Sequence, residues 1–122
     1  MIEGGCFCGN IRFTIAEKPQ GDYLVANCHC SMCRKTSAAP FVTWLVIPKA
    51  AFQYKTGTPK ILQSSEKGSR QFCPDCGTHL LFATTDRPNN FDITTGSLDD
   101  PNRFTPTVNV HEESKLSWLH LQ

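Results

Sequence analysis

Seven cysteines, spaced as Cys6-x-Cys8, Cys28-x-Cys30-x-x-Cys33 and Cys73-x-x-Cys76, limit what this chain can fold into more than any other feature. A closed tetrahedral zinc site takes four thiolates, whereas a reactive zinc keeps three protein ligands and one open position. The cysteines divide the same way, four in the outer clusters and three in the centre, so the spacing predicts two Zn2+ ions per chain, one holding the fold and one doing chemistry. Disulfides fit less well. Seven is odd, and the clusters are too tight for an ordinary bridge within a cluster. No signal segment opens the chain at Met1-Ile2-Glu3-Gly4-Gly5, and no apolar run is long enough to be a membrane segment. The expected compartment is the cytoplasm, where thiols stay reduced. A redox Cys-x-x-Cys normally sits between a strand and a helix, while Cys73-Pro74-Asp75-Cys76-Gly77 lies between two strand-like runs.

At 122 residues the chain reads as one domain, 1–122, with a modest core helped by metal cross-links. Its net charge of +1, with both signs intermixed, offers no footprint for nucleic acid or an anionic membrane surface and suggests small polar ligands instead.

The pattern is all-β, with few short helical turns. Ile11, Phe13 and Ile15 alternate with Arg12 and Thr14, as in a half-buried strand. Further strands are expected at Tyr23–Cys28, Phe41–Ile47, Phe52–Lys55, Lys60–Gln63, Gln71–Cys73, His79–Ala83, Phe91–Thr94, Val108–Glu112 and Leu116–His120, separated by Gly-, Pro- and Asn-rich turns. Only 31–39 has helix potential, as a turn or two after the central cysteines.

The clusters can then be assigned. On an extended segment Cys6 and Cys8 project to one side, and Phe7 to the other, toward a core. Cys73 and Cys76 form a tight zinc-knuckle turn, and pairing it with the first cluster closes a loop of more than sixty residues. That makes Cys6, Cys8, Cys73 and Cys76 the structural set. Cys28, Cys30 and Cys33 lie within six residues, so one loop presents all three sulfurs to one metal. The alternation that aligns Cys28 with Cys30 turns His29 away, as a packing or hydrogen-bonding residue. His79, His111 and His120 have no metal-like spacing.

Gly5-Cys6-Phe7-Cys8-Gly9-Asn10-Ile11-Arg12, Cys28-His29-Cys30-Ser31-Met32-Cys33-Arg34-Lys35, Phe72-Cys73-Pro74-Asp75-Cys76-Gly77, Gly96-Ser97-Leu98-Asp99-Asp100-Pro101 and Ser114-Lys115-Leu116-Ser117-Trp118 follow one another in the order of a known family's motifs. Together they resemble the glutathione-dependent formaldehyde-activating enzyme family, whose wider group includes the centromere protein V domain. The resemblance implies a β-tent fold with zinc knuckles, the same structural ligands, and Cys28, Cys30 and Cys33 as the catalytic ones. It also implies a carbon–sulfur lyase activity, joining glutathione and formaldehyde to S-hydroxymethylglutathione. Many members carry a glycine where Ala38 stands, a histidine at Asn109 and a proline at Ser117.

Other residues have two readings. Arg34 and Lys35, beside the central cluster, are candidates to bind a glutathione carboxylate, or are solvated helix residues. Phe41 and Trp44 line a pocket or belong to the core. Asp99-Asp100-Pro101 is better read as a turn than as a catalytic pair. The expected function is a zinc enzyme acting on a small thiol and a small electrophile, with glutathione and formaldehyde the first candidates. The alternatives are a non-catalytic zinc module for protein or nucleic acid and a metal-buffering protein.

Overall fold

A computed structural model describes residues 1–121. The described residues form ten strands in two sheets: β1 (Ile2–Gly5), β2 (Arg12–Ile15), β3 (Leu24–Cys28), β4 (Val42–Pro48), β5 (Phe52–Thr56), β6 (Lys60–Gln63), β7 (Gly68–Phe72), β8 (His79–Thr84), β9 (Asn90–Thr94) and β10 (Val108–Val110). One short helix, α1 (Ser31–Ser37), follows β3. The all-β expectation is met. No helix among the described residues is long and apolar enough to cross a membrane.

Strands β1, β2 and β5 make a three-stranded antiparallel sheet; the other seven run in the order β10-β3-β4-β9-β8-β7-β6. Every neighbouring pair in the larger sheet is antiparallel except β10 with β3, where Asn109 stands beside Asn27. Alternation along the central strands divides their side chains between two faces. On β4, Leu45 and Ile47 are fully buried in the main core with Phe13 and Ile15 of the small sheet and Leu80, Leu81 and Ile93 of the large one. Val42 and Trp44 belong instead to a second cluster with Cys28 and Cys33, backed by Cys30 and Phe82. The fold thus places one cysteine group beside its core and the other on a face of its own.

Three expectations need correction. Phe7 is 94% exposed and not in the core, because Cys6-Phe7-Cys8 is a turn between β1 and β2, closed by a Gly9 amide donating to the Cys6 carbonyl at 3.1 Å. Leu116–His120 is not a strand; a Leu119 amide donating to the Leu116 carbonyl folds it into a turn, and Trp118 is exposed. Residues Ile2–Gly5, left out of the expected strands, pair with β2 as the first strand.

Candidate metal centres

The sulfurs of Cys6, Cys8, Cys73 and Cys76 all lie within 4.8 Å of one another. Cys6 and Cys8 are 3.5 Å apart and Cys8 and Cys73 3.8 Å, far beyond a disulfide bond and close to the ~3.8 Å edge of a tetrahedron of thiolates around zinc. Two turns bring them together. In the second, the Gly77 amide donates to the Cys73 carbonyl at 2.8 Å, and Gly77 takes a φ of 80°, which glycine adopts without strain. The turns are tied by the Phe7 amide donating to the Thr78 hydroxyl and by Asn10 Nδ2 donating to Asp75. Backbone dipoles already serve the sulfurs: the Ile11 amide donates to Cys6 Sγ at 3.2 Å. The Thr78 hydroxyl and amide draw Cys76 down to about 5, toward the thiolate that a metal requires.

The second group, Cys28, Cys30 and Cys33, meets the same 4.8 Å limit. Cys28 ends β3, and Cys30 caps α1, its sulfur accepting from the Cys33 amide at 3.3 Å in the place of the usual capping oxygen. A thiolate there also faces the positive end of the helix. Cys33 is drawn down to about 5, first by the hydrogen bond from Cys28 and further by Arg70; the same contact pushes Cys28 up.

Arg70, on β7, is the residue that the sequence did not single out. It is 3% exposed, and its two terminal nitrogens lie 3.8 and 3.7 Å from Cys33 Sγ. Its guanidinium stacks on Phe82 at 4.7 Å and donates to the Thr36 hydroxyl. A buried cation beside a sulfur cluster is the counter-charge for thiolates.

The neighbouring residues divide by role. His29 is fully buried, and its Nε2 lies 2.9 Å from Asn109 Oδ1. Since that oxygen only accepts, and also takes a bond from Asn27 Nδ2, His29 is protonated on Nε2 and faces Asn109, on β10. Arg34 donates to the carbonyls of His29 and Ser114, both at 2.6 Å, tying α1 to the segment after β10. Lys35 lines a shallow depression with Leu62 and Gln63, which shares Met32 and Arg70 with the cavity that the cysteines border but does not bring Lys35 into it. Asp99 pairs with Arg12 in a turn. Burial pushes the His79 imidazole down to about 4, so it stays neutral and packs edge-on against Trp44.

The three cysteines border a cavity of about 480 Å³. Ala26, Trp44, Val46 and Phe82 line its inner wall, with Leu24, Val108 and Val110 toward the mouth. Trp44 therefore meets both of its expected readings, since it is buried and lines the cavity, while Phe41 packs on His29 instead.

Fold and site define a class: a small β protein with two cysteine clusters able to bind metal ions, one locked between turns and one bordering a cavity. A family model described as glutathione-dependent formaldehyde-activating enzyme matches residues 1–114, and the chain belongs to that family. It is 34% identical to an "uncharacterized lyase" of Schizosaccharomyces pombe over 75% of this chain, spanning 64% of that protein, slightly under two thirds. It is 24% identical over its full length to 82% of a Halomonas elongata protein named as a candidate glutathione-dependent formaldehyde-activating enzyme. A crystal structure of a Rhodobacter sphaeroides protein shares the fold, with a TM-score of 0.71 at 18% identity, covering 88% of this chain and 99% of that one.

Proposed function

We propose that the protein is a zinc-dependent enzyme of the carbon–sulfur lyase type, which joins a low-molecular-weight thiol to a small carbonyl compound and releases it in reverse. The single observation that carries this reading is the difference between the clusters. Four sulfurs close one group, whereas three sulfurs border a cavity with room for a further ligand. In this reading Cys6, Cys8, Cys73 and Cys76 hold the structural metal, and Cys28, Cys30 and Cys33 the catalytic one. Cys28, Cys30 and Cys33 would hold the zinc, which would keep an incoming thiol in its nucleophilic thiolate form near neutral pH.

The rest falls to the chain itself. In the forward direction the thiol sulfur forms a bond to the carbonyl carbon, the π pair moves to oxygen, and that oxygen takes up the proton the thiol gave up. No oxidant or reductant is consumed. Arg70 offsets the negative charge of the sulfur cluster, and Trp44 and Phe82 exclude water from one side of the cavity. A reducing compartment such as the cytoplasm keeps all seven cysteines free for metal.

Glutathione and formaldehyde are the first pair to test, because the family description and the Halomonas protein's name both give them. Exchange NMR on the zinc-loaded protein, with formaldehyde and a panel of small thiols including glutathione, measures hydroxymethyl-thioether formation directly. We expect acceleration over background for at least one thiol, lost in Cys30→Ser. Background rates for every thiol would overturn the enzyme reading and leave a zinc-binding module.

A further inference from the structure

We infer that the thiol taken by this centre has an uncharged, apolar body, rather than the charged tripeptide body of glutathione. The inference rests on the proposed thiol chemistry at Cys28, Cys30 and Cys33 and concerns what fills the cavity next to it. A ligand at those sulfurs has a path between Ala26, Trp44, Val46 and Phe82 toward Leu24 and Val110, beside the polar stretch of Arg87, Asn90, Asp92 and His111. That path is almost wholly hydrocarbon. The sequence suggested small polar ligands, and the wall of the cavity points the other way.

Charge decides between the two bodies. Glutathione brings two carboxylates and an ammonium group, which need partners once they leave water. The polar side chains lining the cavity already have theirs, apart from the buried Nε of Arg70, which has none. Arg70 is turned to Cys33 and Thr36. Arg87 is matched by both oxygens of Asp92, at 3.0 and 2.5 Å. Asn90 donates to the Ile47 carbonyl, and His111 lies 3.5 Å from the Glu113 carboxylate. The cations nearest the cysteines in sequence do not line the cavity: Arg34 spans the carbonyls of His29 and Ser114, and Lys35 lines the adjoining depression.

Size agrees. A cavity of about 480 Å³ lies within the usual range for small-molecule sites, and one-carbon formaldehyde fills little of it. The thiol is the partner that a sulfur-rich centre selects by softness, so the body lying along the wall is the thiol's.

Calorimetric titration of the zinc-loaded full chain with 1-propanethiol, 1-butanethiol, 1-hexanethiol and glutathione tests this. Each added methylene should tighten binding about fourfold, equivalent to ~0.8 kcal/mol per buried CH2, and hexanethiol should bind more tightly than glutathione. A flat series, or glutathione as the tightest ligand, would overturn the inference while leaving a thiol site in place. No binding by any of the four at full metal content would overturn the thiol reading itself, and this inference with it. Leu24→Arg, at a cavity-lining position that is 50% exposed, supplies a free cation without emptying the core. It should raise glutathione affinity at least fivefold relative to hexanethiol. An unchanged ratio in the folded, zinc-loaded variant would place the body outside the cavity and overturn the assignment.

Discussion

Arg70 shows how one side chain sets the balance of a site. Three thiolates around a divalent metal would leave one net negative charge in a place shielded from water, and the buried guanidinium is placed to cancel it. Arg70→Gln should therefore weaken metal retention at Cys28, Cys30 and Cys33 by about 10- to 100-fold, the worth of charged hydrogen bonds of about 1.5–3 kcal/mol. Arg70→Lys, which keeps the charge and loses the fork, should fall in between. Competition against a graded chelator with metal analysis reads this out. Equal retention in all three proteins would reduce Arg70 to a packing residue on Phe82. The cysteine groups were legible in the sequence because the cysteines recur in short clusters at metal spacing. Arg70 was not, since it fell just before the strand expected at Gln71–Cys73 and its sulfur partner is 37 positions away. Arg34 and Lys35 were singled out because they are next to the cysteines in the chain, and adjacency along a helix does not place a side chain in a cavity.

The elements repeat that division. Strands β3 and β4 are legible as short runs rich in apolar residues, because both faces of the large sheet are covered at its centre. Strand β1 is half glycine and carries no such signal, although it completes the small sheet. Phe7 and 116–120 were misread for a related reason: alternation was taken to mean extended backbone where the chain turns. Helix α1 carries a departure that has a measurable cost. It ends at Ala38, with φ 54° and ψ 32°, the left-handed cap conformation that glycine takes freely and alanine does not. Ala38→Gly should stabilise the protein by about 0.5–1 kcal/mol, the relief of left-handed strain less the extra chain entropy of glycine. A rise of about 2–5 °C in melting temperature is the expected reading. No change would mean that the cap is relaxed by its neighbours.

Over the whole molecule the two cysteine groups make different demands. The four-sulfur group joins the β1–β2 turn to the β7–β8 turn across some 65 residues, whereas the three-sulfur group spans a single loop. Cys73→Ser and Cys8→Ser should then lower the melting temperature by about 10 °C or more, or abolish soluble expression, because metal binding across distant segments is folding energy. Cys30→Ser should stay within about 3 °C of the parent while losing its metal. Equal damage from all three would make the central group structural as well. The separation of the three-sulfur loop from its cavity also bears on synthesis. As the chain leaves the ribosome, Cys28, Cys30 and Cys33 emerge together, but Phe82 follows some fifty residues later and Val108 some 75 residues later. Because β10 pairs in parallel with β3, the cavity is completed only once β10 has been made. A nascent chain can therefore present three metal-seeking thiols over that interval, with the cavity walls still incomplete, so the metal can arrive before the chemistry is possible.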